Sequence, residues 1–320
     1  VCFLCPRSRF DVPDTSSIRE VYQMIFSNTS SYMLKYQKAK AKLVEYDIPN
    51  EAYPKFPLNS NELSYPVVYI LSRYAESVIE NNAVDREEFS PYLGVASQYF
   101  DAAVGAKDRT AYDIDFLLSG AAAYFLSDNF GSAKVLCSEY FGRNDPDAAA
   151  PQKIMGNFLG YLLLNRELHI NNDTPTGEKL CCSLLAYYTS GKKPEEIQNI
   201  LLEYRKEVYA HDNPMEIYFV DILYAVVIVA LSRSAWSLLP RYSGLDLSLW
   251  SDYLKSSNAP RMLWPAQQLI GEKGILSGQS GIVQLPTGVG KTKSIELIIR
   301  SSFASNRAST ALILARLRGL

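Results

Sequence analysis

Pro286, Thr287, Gly288, Val289, Gly290, Lys291 and Thr292 form a run whose residue types suit the binding of a polyphosphate. Gly288 and Gly290 carry no Cβ, so the backbone between them is free to turn its amides toward an anion. The helix expected directly behind them offers unpaired N–H groups and the positive end of its dipole. Lys291 is placed to reach the β- and γ-phosphates, and the Thr292 hydroxyl to hold Mg²⁺. The general phosphate-loop pattern has a glycine six places before the lysine, a position that Leu285 occupies here.

Two further groups stand in register with this loop. Gln267 lies 24 residues before Lys291, within Leu263, Trp264, Pro265, Ala266 and Gln267. An amide offers one donor and one acceptor, which adenine's N6 and N7 match. Gln268 is its nearest competitor. Arg316 and Arg318 sit after the apolar run that begins at Ala311. Their guanidinium groups suit nucleic-acid phosphates, the alternative being solvated loop charge.

The run Leu285 to Thr292 resembles motif I of superfamily 2 (DEAD/DEAH-box-like) helicases, where Pro-Thr-Gly-x-Gly-Lys-Thr is typical and the first position varies. The segment ending in Gln267 is similar to that family's Q-type motif. Residues 311–320 stand where the family carries motif Ia, commonly Ala-Pro-Leu-Arg-Ala-Leu, with Arg316 in place of proline and Gly319 in place of alanine. The resemblance covers residues 260–320. It implies ATP and Mg²⁺ as cofactors, Lys291 and Thr292 as catalytic groups, and DNA or RNA as the partner of Arg316 and Arg318. More loosely, Leu117–Glu139 resembles the helical N-terminal extensions of bacterial antiphage-defence helicases, including Hachiman-type systems.

The family also uses an Asp-Glu box and an arginine finger from a second RecA-like domain. Only 29 residues follow Lys291, and they hold no such box. Phosphoryl transfer needs charge on both sides of the γ-phosphate. The resemblance therefore implies the N-terminal portion of a longer enzyme, which alone does not turn over ATP. An ATP-binding regulatory or scaffold protein, with a protein partner on its helical region, is the alternative. A P-loop ATPase outside the helicases fits the Gln267 spacing less well.

The elements that must position these groups follow from periodicity. Ile282, Val283 and Leu285 read as a short buried strand, Ser294–Phe303 as a helix, and residues 311–314 as a second parallel strand. Strand, loop, helix, strand is the βαβ context of a phosphate-binding loop. Upstream the pattern is helical. A helix is expected from Ser17 to Glu45 with Lys35, Lys38, Lys40 and Lys42 on a solvated face, then a proline-rich loop over 47–66, then a helix from Tyr65 to Asn81. Residues 86–235 read as densely helical. Within them, 111–141 form a tetratricopeptide-like hairpin broken at Ser127, Asp128 and Asn129, without a second copy at a fixed period. Helices are expected at 150–168, 176–189, 194–210 and 214–236, the last apolar on most faces. Pro194 followed by Glu195 and Glu196 is a helix start. Tyrosines at helical spacing, such as Tyr65, Tyr69 and Tyr74, read as packing residues with the hydroxyl at the rim.

The fold class expected is mainly α: an all-helical N-terminal domain over 1–240, a linker over 241–259, and over 260–320 the first, incomplete part of a RecA-like α/β P-loop motor. Net charge is −2 with 21% charged residues, so a basic surface for nucleic acid has to be local. Five cysteines without regular spacing do not read as a disulfide framework. Cys2 and Cys5 form a lone C-x-x-C, short of the four ligands of a structural zinc. The longest apolar stretch, Ile222–Leu231, is too short to cross a bilayer. With no visible signal peptide, the expectation is a cytoplasmic protein without a membrane partner.

Overall fold

The computed structural model describes residues 60–104, 113–143, 149–169, 174–191, 194–285 and 289–313. The helix expected at 17–45, Cys2, Cys5, Pro286, Thr287, Gly288, Arg316 and Arg318 lie outside these residues. The described residues are mainly α-helical: α1 Ser60–Ile79, α2 Ala83–Val104, α3 Asp113–Leu126, α4 Phe130–Gly142, α5 Ala150–Leu164, α6 Pro175–Ser190, α7 Pro194–Ala210, α8 Pro214–Ser232, α9 Ala235–Ser243, α10 Ser248–Leu254, α11 Pro265–Glu272 and α12 Lys291–Ala304.

Local chemistry explains most of these boundaries. Prolines open α6, α7, α8 and α11, where a missing N–H costs nothing and φ is already set. Polar side chains cap other starts: Asn82 Oδ1 accepts from the amides of Val84 (3.1 Å) and Asp85 (3.2 Å), and Ser234 Oγ from that of Trp236 (3.2 Å). Residues with left-handed backbone stop the chain: Asn81 after α1, Asp128 after α3, Asn165 after α5, Asp212 after α7 and Asn306 after α12. Asn and Asp tolerate that conformation because their short polar side chains bond locally.

The chain divides into two compact units, one of Val1–Ser183 with Glu195–Ile228 and one of Leu184–Pro194 with Val229–Leu320. In the first, helices adjacent in sequence pack on one another, α1 on α2, α2 on α3, α3 on α4 and α4 on α5. The hairpin of α3 and α4 turns at Ser127–Asn129 as the sequence predicts, and the rings of Phe125 and Phe130 meet edge to face at 5.2 Å across it. Gly120 permits the close approach. A Cβ there would stand 2.8 Å from Leu136 Cδ1 and 2.9 Å from Phe100 Cβ.

The central helix is α8, whose Phe219, Ile222, Leu223, Ala225, Val226 and Val227 are wholly buried. By length and composition this helix could cross a bilayer, being longer than the apolar run alone suggests. Its burial is that of a core helix. Asp221 within it accepts from Arg205 Nε (2.6 Å) and from the Tyr209 hydroxyl (2.6 Å) on α7, so the acid has its partners. Tyr74 is buried as expected, but Tyr99, Tyr204 and Tyr224 are buried beyond any rim.

The second unit contains α9 to α12. Trp236 donates from Nε1 to Tyr188 O (3.1 Å) and packs where a side chain at Gly191 would begin. Trp250 donates to Ser243 Oγ (3.0 Å).

Several expectations are corrected. The loop read over 47–66 gives way at Ser60, where α1 begins, five residues before the expected Tyr65. Helix α5 ends at Leu164, because Asn165 turns left-handed with φ 57. The helix expected over 214–236 breaks after Ser232, because Arg233 O accepts from Leu263 N (2.8 Å) and Ala235 N donates to Arg261 O (3.1 Å). Residues 241–259, read as a linker, carry α10 with Trp250 buried.

Among the described residues neither expected strand forms. Residues 281–285 and 311–313 pair with nothing in a ladder among the described residues, and the single β-bridge there is Ser234 with Met262. Ile282 is 102% exposed and Leu312 84%. A parallel strand needs ladder partners and both faces covered, and these two short segments have neither.

Candidate phosphate-binding site

The site grows from the first turn of α12. Gly290 is the residue before the helix and is left-handed, φ 86 and ψ 34. The helical ladder starts where Ser294 N donates to Gly290 O (3.0 Å), a carbonyl that also accepts from Ser294 Oγ (3.2 Å). The amides of Lys291, Thr292 and Lys293 precede that first bond, and among the described residues no side chain caps them. They form the donor cluster that an anion at a helix start would use. Lys291 and Thr292 are exposed.

The two lysines of this turn are treated differently. Lys293 Nζ donates to Asn258 O (2.7 Å) and to Glu296 Oε2 (2.6 Å), which ties the turn to the loop after α10. Among the described residues no acid pairs with Lys291. Glu296 also accepts from Arg300 Nε (3.2 Å), and Arg300 lies over the Tyr253 ring at 4.0 Å. Partial burial works to raise the Glu296 carboxyl. Lys293, Tyr253 and Arg300 around it outweigh that and hold it below the usual carboxylate range.

The far end of α12 is fixed as firmly. Ser301 Oγ donates to Leu276 O (2.5 Å), and Arg307 NH2 donates to the same carbonyl (2.8 Å) and to Ser301 Oγ (3.0 Å). Arg307 lies where a side chain at Gly278 (φ 108) would begin, so the turn that leads back toward the loop has room only for glycine there.

Gln267 lies beside this turn. The bridge between Ser234 and Met262 sets the chain that enters α11. At the first turn of α11, Gln267 Oε1 accepts from Trp264 N (2.9 Å) and Trp264 O accepts from Gln267 N (2.8 Å). The other end of the same amide reaches α12: a Cβ built on Gly290 would stand 2.9 Å from Gln267 Nε2. Gln268 points elsewhere, its Nε2 donating to Leu263 O (2.7 Å).

Of the residues singled out from sequence, the structure brings together Gln267, Gly290, Lys291 and Thr292, with Val289 beside them. Lys293, Glu296, Arg300 and Arg307 were not singled out. The i,i+3 and i,i+4 spacing of the first three could have been read as an ion-paired face. Nothing in the sequence links Arg307 to Leu276. Among the described residues no group of three His, Cys, Asp or Glu side chains is placed to hold a metal. A Mg²⁺ held by one Thr hydroxyl and phosphate oxygens requires no such group. No protein-family model matches this sequence, and no curated protein matches it.

Proposed function

We propose that residues 260–320 are the nucleotide-binding start of an ATP-dependent nucleic-acid helicase or translocase with a RecA-like α/β motor. In this proposal the amides of Lys291 and Thr292 receive the phosphates, Lys291 Nζ neutralises the β- and γ-phosphates, and the Thr292 hydroxyl holds Mg²⁺. Pro286, Thr287, Gly288 and Val289 complete the loop. Arg316 and Arg318 face nucleic-acid phosphates, and the helical region is left to a protein partner. A cytoplasmic location goes with that role.

One observation carries the nucleotide-binding part. Gln267 and Gly290, drawn from two motifs with a fixed separation, lie side by side, Gln267 Nε2 standing 2.9 Å from where a Cβ on Gly290 would be, at the start of a helix whose N-cap glycine supplies no side-chain cap. A glycine-rich turn with no ligand gives no reason for a helix start without a side-chain cap, a Lys291 that pairs with no acid among the described residues, and this proximity to coincide.

Titration of the full chain with a fluorescent ATP analogue and Mg²⁺, against Lys291→Ala, tests it. A charge-assisted contact to phosphate contributes about 1.5–3 kcal/mol, so affinity should fall roughly 10- to 150-fold. The far-UV spectrum should be unchanged, because Lys291 supports no described contact. Equal affinity of the two proteins would refute the assignment.

A further inference from the structure

The first turn of α12 holds two lysines, Lys291 and Lys293, and no acid. Positive charge there opposes the helix dipole and has to be offset. For Lys293 the fold supplies the offset. Its Nζ donates to Asn258 O (2.7 Å) and to Glu296 Oε2 (2.6 Å). The other oxygen of Glu296 accepts from Arg300 Nε (3.2 Å), and the Arg300 guanidinium lies 4.0 Å over the ring of Tyr253, which is buried in α10. Lys293 and Glu296 are half-buried, and all of these groups belong to the second unit. At about 100° per residue, Lys293, Glu296 and Arg300 share one face of α12, about 140–200° around its axis from Lys291. That face is tied to α10 and the loop after it. Lys291 stands on the opposite side, exposed, with no acid paired to it among the described residues.

We propose that Lys293 and Glu296 are positioning residues for nucleotide binding: they clamp the phosphate helix to the loop after α10 and so fix the direction in which Lys291 and the leading amides face, while Lys293 itself takes no phosphate. This rests on the nucleotide-binding proposal above and divides the two lysines by task. Lys293 already directs its ammonium to a carbonyl and a carboxylate, and a turn toward phosphate would break both bonds. Glu296 touches no ligand and acts through Lys293. The sign of its effect is therefore diagnostic. Removing an acid near an anion site strengthens anion binding where only the field matters. It also loosens the hold on Lys293, which would help a lysine that binds phosphate. A clamp predicts the reverse, because loss of Glu296 frees the turn that carries Lys291.

The test is competition of MgATP against a fluorescent ATP analogue on the full chain, for wild type, Lys293→Met, Lys293→Arg, Glu296→Gln and the double variant Lys293→Met/Glu296→Gln. It is run where the unfolding curve of each variant shows it fully folded, so that lost stability does not register as lost affinity. Ser243→Ala removes the acceptor of Trp250 Nε1 in the same unit and controls for a general loosening of structure. The expected result is binding about three- to tenfold weaker for Lys293→Met and for Glu296→Gln, the range of one hydrogen bond, with no further loss in the double variant. Lys293→Arg keeps donors for both partners and should bind as wild type does, as should Ser243→Ala. Glu296→Gln binding as tightly as wild type, or more tightly, would overturn the proposal, and with Lys293→Met weakened it would place Lys293 on the phosphates. Losses that add in the double variant, no rescue by arginine, or an equal loss in Ser243→Ala would overturn it as well. A wild-type protein that does not bind MgATP, or binds it without dependence on Lys291, would instead remove the nucleotide-binding proposal and this one with it.

Discussion

Gly290→Ala measures how tightly the loop and α11 are joined. Its cost has two parts. At φ 86 an L-residue with a Cβ is disfavoured by about 1–2 kcal/mol. The new methyl would also lie 2.9 Å from Gln267 Nε2, closer than the roughly 3.5 Å at which such atoms rest. The nitrogen must retreat by about half an ångström. Because Gln267 Oε1 is anchored on Trp264 N at 2.9 Å, the retreat misaligns that bond and costs about 0.5–1.5 kcal/mol more. The sum is about 1.5–3.5 kcal/mol.

Gln267→Ala by itself removes the same first-turn bond, at about 1 kcal/mol. In the double variant the backbone strain at residue 290 persists, but the collision is gone and the bond is lost only once. The two single costs should therefore exceed the double cost by about 1 kcal/mol. The three tryptophans, Trp236, Trp250 and Trp264, all fall in the second unit. Urea unfolding followed by tryptophan fluorescence thus reports on that unit alone, even if the other melts separately. A cycle that closes additively within about 0.3–0.5 kcal/mol would show that Gln267 and Gly290 do not touch, and would remove the main support for the site.

Gly120→Ala should destabilise the first unit by about 1–2 kcal/mol, from overpacking against Leu136 and Phe100 less the helix propensity gained. Gly94→Ala in α2, with nothing within 4 Å of its Cβ position, should instead stabilise by up to about 1 kcal/mol; circular dichroism melts compare the two. Native-state alkylation followed by peptide mapping should label the exposed Cys182 before the buried Cys181 and Cys137, since burial pushes the Cys137 thiol up to about 12. For Glu296 the folded carboxyl lies below its ordinary value of 4.5. Its contribution is then present above that value and lost as pH falls through the lower, folded one. Glu296→Gln should be less stable than wild type at neutral pH, with the difference shrinking below about pH 4.5 in acid titrations of the unfolding midpoint.

Much of the helical unit was legible because helix boundaries are set locally. Pro194 with Glu195 and Glu196 opens α7 at the predicted residue, and the break at Ser127–Asn129 divides α3 from α4 as read. The misplaced boundary after α8 has a distant cause. The apolar pattern runs on from Ala230 and Leu231 into Ala235 and Trp236, and only hydrogen bonds to Arg261 and Leu263 interrupt it. The same distinction holds at the site. Gly290, Lys291 and Thr292 announce themselves because a helix start with glycine, lysine and threonine is chemistry within one turn. That Gln267 directs its nitrogen to Gly290 depends on which atom faces Trp264 N, and that Lys293 is occupied by Asn258 depends on a loop 35 residues away. Neither has a periodic signature.

The unformed strands make the limit of local reading sharpest. Ile282 and Phe219 are both large apolar residues within apolar runs, yet one is 102% exposed and the other 0%. Phe219 satisfies its own backbone hydrogen bonds inside α8, so burial needs only neighbouring side chains. Ile282 can form a strand only when another chain segment accepts and donates along its edge. Apolar patterning states how much a segment gains by leaving water. It does not state whether a ladder partner lies alongside. The helix after the loop can therefore be read from this sequence, whereas a strand at 282–285 is a statement about some other segment as much as about this one.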